Sequence, residues 1–208
     1  VLYFKGGGAC FNSLTCSFTE PLMRTGPEAM DANPEGVLDF GRDDNPLVDA
    51  NVVYFPYCTG DVHAGVLGEQ SVAGVEEPWN FVGHDNVLAA LDRVVPTFDD
   101  LDQVVVLGTS AGGMGALFNF PFIRSGWPDT ETVVIDDSGV ILPDAFLDPC
   151  LQTHLRDTWG FSQVSASKVR IVRRRLVCAA PSAASAWPPC QADRAFWKPY
   201  QIRNAAPP

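Results

Sequence analysis

Residues 108–112 have the pattern G-x-S-x-G, which places the hydroxyl of Ser110 where it could act as a nucleophile. They follow four apolar residues that favour a strand, 104–107, and precede an apolar stretch that predicts a helix, 114–120. Glycine on both sides of a serine permits a sharp strand-to-helix turn that lifts the hydroxyl above the sheet edge. The amide of Ala111 would then face a developing oxyanion at the positive end of the helix. The alternative is a turn that only packs helix on strand, which would not need a serine.

A second glycine-rich segment follows residues 1–4, whose apolar side chains predict a short strand. Residues 5–9, K-G-G-G-A, would leave backbone amides exposed at the end of that strand. We therefore expect Gly7 and Gly8 to donate to an oxyanion hole together with Ala111. A flexible turn without a ligand is the alternative, because three glycines alone carry little information.

Asp61 and His63 belong to a polar loop, residues 58–65, which follows a strand predicted for residues 51–57 by its apolar and β-branched content. Ligands of open α/β sheets bind at the carboxyl ends of such strands. We expect the two side chains to lie near the mouth of the site and to line its pocket. A structural hydrogen bond is the alternative for His63, and it is the commoner role of a lone histidine.

The other two histidines are weaker candidates for a general base. Ser110, Asp137 and His154 occur in the chain order nucleophile, acid, base. Chain order does not make a triad, however, because His154 lies only 17 residues after Asp137 and in a predicted helix. Asp136 and Asp137 are equally suited to cap the turn that follows them. His84 opens another predicted helix, which we expect it to cap or pack.

The elements predicted around these segments alternate between strands and helices. Residues 83–95 carry apolar side chains at helical spacing before Pro96 and predict a crossover helix, and residues 132–135 predict a further strand. The order predicts an α/β fold with a mostly parallel sheet and flanking helices. Residues 17–50, rich in Pro, Gly, Asp and Asn, predict a long ordered loop over the site.

The composition of the chain is that of a globular protein with one core. Of its 208 residues, 46% are hydrophobic and 19% are charged, which fits a single domain better than two. A formal net charge of −11 argues against a nucleic-acid partner, because such binding needs clustered Lys and Arg. No apolar run reaches the length of a membrane-spanning helix. The sequence gives no indication of oligomeric state.

The cysteines indicate an oxidising compartment. Six of them stand at positions 10, 16, 58, 150, 178 and 190, without the C-x-x-C spacing that favours a zinc site. Cys10 and Cys16 enclose a short polar loop, residues 11–15, and a bridge between them would make the segment after the glycines rigid. Two unpaired thiols are the alternative.

Residues 162–208 differ in composition from the rest of the chain. They contain eight basic residues and one acid, whereas residues 1–161 contain six basic and 24 acidic residues, and no glycine follows Gly160. We interpret the break as a shift of reading frame near residue 162, with a basic Ala/Pro-rich tail that is out of frame or disordered. A genuine basic interaction segment is the alternative.

Four segments of the chain together resemble the pectin acetylesterase family, which includes the Notum carboxylesterases, and the chain looks like a bacterial-type member. They are residues 6–12 (GGGACFN), 56–65 (PYCTGDVHAG), 108–113 (GTSAGG) and 136–139 (DDSG). The resemblance implies an α/β-hydrolase fold, secretion, and hydrolysis of an ester by a Ser-Asp-His triad without a metal or another cofactor. It favours an acetylated polysaccharide as the substrate, with an acyl chain on a protein or a small aryl ester as alternatives.

Carried over by position, the resemblance makes Ser110 the nucleophile and the amides of Gly7, Gly8 and Ala111 the oxyanion hole. It also implies a disulfide between the first two cysteines of the chain. Because residue 1 already lies in a predicted strand, we expect a fragment of a secreted or periplasmic parent, without its signal peptide.

The chain also departs from the family, whose triad acid and histidine lie much farther after the nucleophile. Residues 162–208 ought to encode them, yet no histidine follows His154. We therefore expect residues 1–161 to form a partial α/β-hydrolase domain. The alternative to a serine esterase is a catalytically incomplete fragment, at most a carbohydrate-binding relic.

Overall fold

In a computed structural model, residues 1–20, 36–39, 41–140, 142 and 144–164 are described. The main elements, in chain order, are β1 (Leu2–Phe4), α1 (Ser13–Thr19), β2 (Val53–Phe55), β3 (Leu67–Gln70), β4 (Trp79–Phe81), α2 (Gly83–Val94), β5 (Gln103–Thr109), α3 (Ala111–Gly126), β6 (Glu131–Asp137) and α4 (Pro149–Trp159). Most of the predicted tail, residues 165–208, and residues 21–35 and 40 of the predicted loop lie outside the described residues. None of the described helices is long and apolar enough to cross a membrane.

Four strands form a parallel sheet in the spatial order β2-β1-β5-β6, and β3 pairs with β4 in a separate antiparallel hairpin. The chain leaves β1 toward β2 on one side and leaves β5 toward β6 on the other. The boundary between β1 and β5 is therefore a topological switch point, and it opens a crevice at the carboxyl edge of the sheet. The mostly parallel sheet with flanking helices that the sequence predicts is confirmed.

One face of the sheet packs against α2 and α3. Alternate residues of the strands contribute to this cluster, because successive side chains of a strand point to opposite faces. Its buried members are Leu2, Phe4, Phe55, Val87, Leu91, Val104, Val106, Ala116, Ile123 and Trp127. On the opposite face Tyr3, Val105 and Leu107 are buried as well. This burial on both faces explains why residues 104–107, which precede the G-x-S-x-G turn (the elbow), are an unbroken apolar run.

A second cluster lies over the loops that follow β1 and β2. It joins the hairpin and α4 to those loops, with the buried members Cys10, Cys16, Tyr57, Val62, Ala64, Val72, Trp79, Phe81, Ala111 and Trp159. The indole N–H of Trp159 donates to the carbonyl of Cys10 at 2.8 Å, and that of Trp79 donates to the carbonyl of Thr59 at 2.8 Å. Both loops are therefore covered by apolar side chains and fixed to them by hydrogen bonds.

Two elements differ from the sequence prediction. Where a short polar loop is predicted between Cys10 and Cys16, the helix α1 begins: Asn12 caps it, with Asn12 Oδ1 accepting from Thr15 N and Thr15 Oγ1 accepting from Asn12 N. The hairpin of β3 and β4 has no counterpart among the predicted strands. The crossover helix predicted for residues 83–95 is confirmed as α2.

Candidate active site

Ser110 occupies the turn between β5 and α3, with φ of 56° and ψ of −122°. An L-residue rarely adopts a positive φ, and such a conformation costs on the order of 1–3 kcal/mol. The turn is held by Ser110 N, which donates to Asp137 O at 2.7 Å, and by Gly113 N, which donates to Ser110 O at 2.9 Å. The serine is exposed at the carboxyl edge of the sheet, beside the switch point.

The two glycines of the G-x-S-x-G pattern are required by close packing. A Cβ atom at Gly108 would lie 2.1 Å from the carbonyl oxygen of Gly112, and one at Gly112 would lie 2.0 Å from the carbonyl oxygen of Phe4. The elbow and the end of β1 are therefore in direct backbone contact, which only glycine permits.

The glycine loop, residues 5–10, lies against the same turn. A Cβ atom at Gly6 would come within 2.2 Å of Thr109 O and 3.1 Å of the Cβ of Ser110. Within the part of the chain that the structure describes, the amides of Gly7 and Gly8 donate to no protein acceptor. The amide of Ala111 has no acceptor inside α3, because Ala111 is the first residue of that helix. The structure thus brings together the serine and the segments that carry all three predicted donors.

Residues 57–63 fix the glycine loop at three points. His63 Nε2 donates to Lys5 O at 2.8 Å, and the Tyr57 hydroxyl donates to Gly8 O at 2.7 Å. Cys10 N donates to the carbonyl of Gly60 at 2.6 Å. The loop therefore rests on the loop that follows β2.

The disulfide between Cys10 and Cys16 closes the far end of the glycine loop against α1. Both cysteines are buried in the second cluster. This pairing agrees with the bridge predicted from the sequence.

The carboxylate of Asp61 lies inside the protein, with a relative exposure of 0%. It accepts from Thr59 Oγ1 at 2.6 Å and from Gly83 N at 2.8 Å, at the positive end of α2. Burial raises its pKa to about 6, and these hydrogen bonds oppose that rise. Gly65 and Gly83 leave room for it, since a Cβ at either would lie within 2.4 Å of a carboxylate oxygen.

The imidazole of His63 is likewise buried, with an exposure of 3%. Burial lowers its pKa to about 4, so the ring is neutral near pH 7 and its Nε2 carries the proton that it donates to Lys5 O. The rings of Phe4 and Tyr57 lie against it. The expectation that Asp61 and His63 line a pocket stays a prediction; their contacts are with protein groups.

The other predicted acids and bases have contacts of their own. Asp136 Oδ1 accepts from Gly139 N at 2.8 Å, which is the turn cap that the sequence suggests. Asp137 Oδ1 accepts from the hydroxyl of Ser138 at 2.9 Å, and His154 Nε2 bonds to the carbonyl of Phe11. In the described ranges no hydrogen bond joins His154 to Asp137 or to Ser110.

Sequence reasoning did not single out Tyr57 or Asn119, or the pairing of His84 with Asn119. Asn119 Nδ2 donates to His63 O at 2.8 Å, and its Oδ1 accepts from His84 Nδ1 at 2.6 Å. Asn119 could have been noticed as an amide inside an otherwise apolar helix, because buried polar side chains are paired. Tyr57 could have been noticed as a hydroxyl ending a buried strand.

Comparisons with known proteins show the family of the chain. Residues 1–176 match the family model described as pectinacetylesterase. The chain belongs to the pectinacetylesterase family. Curated relatives of this family member include palmitoleoyl-protein carboxylesterase notum2 of Xenopus laevis, 25% identical over 71% of this chain and 31% of the relative. Palmitoleoyl-protein carboxylesterase NOTUM of Drosophila melanogaster is 28% identical over 71% of this chain and 23% of the relative.

Solved structures support the fold of this pectinacetylesterase family member. A crystal structure of the Wnt deacylase Notum from Drosophila superposes with a TM-score of 0.61 and 24% identity, over 76% of this chain and 51% of that one. The chain spans less than a third of the length of the two curated relatives named above.

Proposed function

We propose that Ser110 is the nucleophile of a serine carboxylesterase and that the amides of Gly7, Gly8 and Ala111 form its oxyanion hole. The observation that carries the proposal is the positive φ of Ser110 at the switch point of the sheet, in contact with the glycine loop. Backbone strain persists where the surrounding structure enforces it, and it is frequent at nucleophile elbows. Membership of a family with carboxylesterase relatives supports the same chemistry.

In the proposed reaction Ser110 Oγ bonds to the carbonyl carbon of an ester while a base accepts its proton. The π electrons of the carbonyl move onto its oxygen, and the three amides stabilise this negative charge until the carbonyl forms again. The alcohol then leaves with a proton, and the acyl group stays on the serine. Water hydrolyses this acyl-enzyme and releases the acid.

The proposed substrate is an acetylated polysaccharide or a similar ester. The family description supports an acetyl group, whereas the relatives named for palmitoleoyl-protein esters make a longer acyl chain the alternative. The disulfide between Cys10 and Cys16 supports a secreted or periplasmic location.

A second candidate is a catalytically incomplete protein, at most a carbohydrate-binding relic. The sequence holds three histidines, and each has a hydrogen bond elsewhere: His63 to Lys5, His84 to Asn119 and His154 to Phe11. A serine without a base retains only the small acceleration that an oxyanion hole and binding provide. None of these three hydrogen bonds joins a histidine to Ser110, and this observation supports the second candidate.

The test is labelling of the full chain with a fluorophosphonate, with Ser110→Ala as the control. If Ser110 is activated, the wild type becomes labelled within minutes and S110A does not, and aryl acetate hydrolysis is lost in the same variant. Equal labelling of both proteins would contradict the assignment of the nucleophile. A folded wild type without labelling supports the incomplete candidate. Rates with aryl acetate and with a long-chain aryl ester then separate the two substrate classes.

A further inference from the structure

Val62 and His63 are two consecutive residues in the left-handed region, with φ of 52° and 56°. Neither is glycine, and valine is β-branched, so this backbone conformation is unfavourable for both. Both side chains are also buried. Strain of this kind survives only where its surroundings fix it, and it is concentrated at functional sites.

Val62 and His63 fix the three glycines of the glycine loop, residues 6–8, at both ends. His63 donates through Nε2 to the carbonyl of Lys5, just before the first glycine. Val62 N donates to the Tyr57 oxygen at 3.0 Å, which directs the proton of that hydroxyl to the carbonyl of Gly8 at 2.7 Å. Burial raises the pKa of Tyr57 well above its usual value, so the hydroxyl keeps this proton.

In the chain, these two carbonyls lie on either side of the candidate donor amides of Gly7 and Gly8. The carbonyl of Lys5 shares a planar peptide unit with Gly6 N, and that of Gly8 shares one with Ala9 N. Fixing both units restrains the Gly7 and Gly8 amides that lie between them. Three consecutive glycines would otherwise adopt many conformations, because glycine has the widest range of backbone angles.

The pair is itself supported by α3, the helix that begins at Ala111. Asn119 Nδ2 donates to His63 O at 2.8 Å and to Gly115 O at 2.9 Å. A Cβ atom at Gly115 would lie 2.8 Å from the Cβ of His63, so the helix and the loop are in close contact. Through these contacts α3, which begins with the candidate donor Ala111, is connected to the loop that carries Gly7 and Gly8.

We infer that Tyr57 and His63 are positioning residues of the oxyanion hole: through the carbonyls of Gly8 and Lys5 they orient the amides of Gly7 and Gly8 toward the reacting carbonyl. The strained backbone of Val62 and His63 places the two donors. This inference rests on the proposed function. It gives His63 no part in proton transfer, because its ring is buried and donates to Lys5.

The test compares Tyr57→Phe, His63→Phe and His63→Gln with the wild type. Gln Nε2 stands three bonds from Cβ, as His Nε2 does, and can donate to the same carbonyl. We expect kcat for aryl acetate to fall about tenfold in Y57F and H63F, with KM within about twofold, because loosening the donors affects the transition state more than binding. H63Q should recover most of kcat, since it keeps the donor.

Trp127→Phe is the matched control. It removes a side-chain N–H that donates to a distant backbone carbonyl, that of Phe98 at 2.7 Å, but it lies in the cluster between the sheet and helices α2 and α3. We expect its kcat to equal that of the wild type. If W127F loses as much kcat as Y57F and H63F, or if H63Q recovers nothing, the role is merely structural and the inference is wrong.

A second measurement does not depend on activity. Backbone ¹⁵N relaxation should give order parameters near 0.85 for Gly7 and Gly8 in the wild type and below about 0.6 in Y57F and H63F. W127F should keep the wild-type values. If hydrolysis by the wild type does not depend on Ser110, the proposed function fails, and the order parameters then test only whether Tyr57 and His63 restrain the glycine loop. A change confined to that loop supports the restraint, and no change in either variant overturns it.

Discussion

At the scale of single residues, Gly112 should tolerate no side chain. The Cβ of Gly112→Ala would meet the carbonyl oxygen of Phe4 at 2.0 Å, and both belong to backbone that cannot move without disturbing β1. We expect the free energy of unfolding to fall by about 3 kcal/mol, as measured by urea denaturation. Gly68→Ala is the control, because no atom lies within 4 Å of its new Cβ. Equal midpoints for the two variants would contradict this account of the elbow.

Asp61 and His63 should give opposite pH dependences of stability. The folded pKa of Asp61 is raised from 3.8 to about 6, so the folded state binds the extra proton and this contribution to stability is lost as pH rises through that range. The folded pKa of His63 is lowered from 6.5 to about 4, so the unfolded state binds the extra proton and this contribution is lost as pH falls. Each effect is on the order of 3 kcal/mol, and the two nearly cancel between about pH 4 and 6.

Single variants should show the pH dependence that each of the two groups contributes to stability. Relative to the wild type, the stability of Asp61→Asn should increase as pH rises from about 4 to 6, and that of His63→Gln should decrease. Urea midpoints at three pH values across this range measure both. Parallel curves for the wild type and both variants would show that these groups titrate alike in the folded and unfolded states.

At the scale of elements, α1 is held by its cap and by the disulfide that ties it to the glycine loop. The bridge between Cys10 and Cys16 closes a loop with a sequence separation of 6. Restricting so short a loop in the unfolded chain contributes about 2 kcal/mol. We expect the double variant Cys10→Ala/Cys16→Ala to lose that amount in urea denaturation, whereas Asn12→Ala, which removes only the cap, should lose about 1 kcal/mol. A double variant as stable as the wild type would disprove the stabilising role of the bridge.

Elements marked by hydrophobic periodicity or by a glycine pattern could be predicted from the sequence, whereas those fixed by a cap or by strand pairing could not. The apolar spacing of residues 83–95 identified α2, and the glycines around Ser110 identified the elbow. The cap of α1 has Thr15 in place of the usual acidic or amide residue, so its pattern was easily missed. The β3 strand has an irregular register between Leu67 and Glu69, and its four residues, LGEQ, show no apolar alternation that would predict a strand.

At the scale of the whole molecule, the contacts that set the site join distant parts of the chain. Tyr57 and Gly8 are 49 residues apart, and Asn119 and His63 are 56 apart. No local pattern encodes which buried polar groups meet, since each contact depends on the packing of the complete fold. The candidate nucleophile Ser110, the glycine loop and His63 were therefore visible in the sequence, whereas the partner of His63 and the role of Tyr57 were not.

The two clusters of the molecule should also open separately. The loop cluster is joined to α4 through Trp159, whose indole donates to Cys10 O and whose ring lies against Phe11, Phe81 and Phe161. Trp159→Phe keeps an aromatic ring there but leaves that buried carbonyl unpaired, at a cost of about 1–3 kcal/mol. We expect hydrogen exchange of the α4 amides to become at least about tenfold faster, while the amides of β5 exchange as in the wild type under native conditions.

The outcome of Trp159→Phe depends on how the molecule is coupled. If α4 is a local cap on the loops, its amides exchange through an opening that leaves the sheet intact, and only that opening becomes easier when the indole donor is lost. If the whole described domain unfolds as one unit, β5 and α4 accelerate by the same factor, and the separation of the two clusters is wrong. Ile123→Ala removes side-chain atoms from the cluster between the sheet and helices α2 and α3, and it should accelerate exchange in β5. If α4 opens locally, its amides exchange as in the wild type in this variant; if the domain unfolds as one unit, they accelerate together with β5.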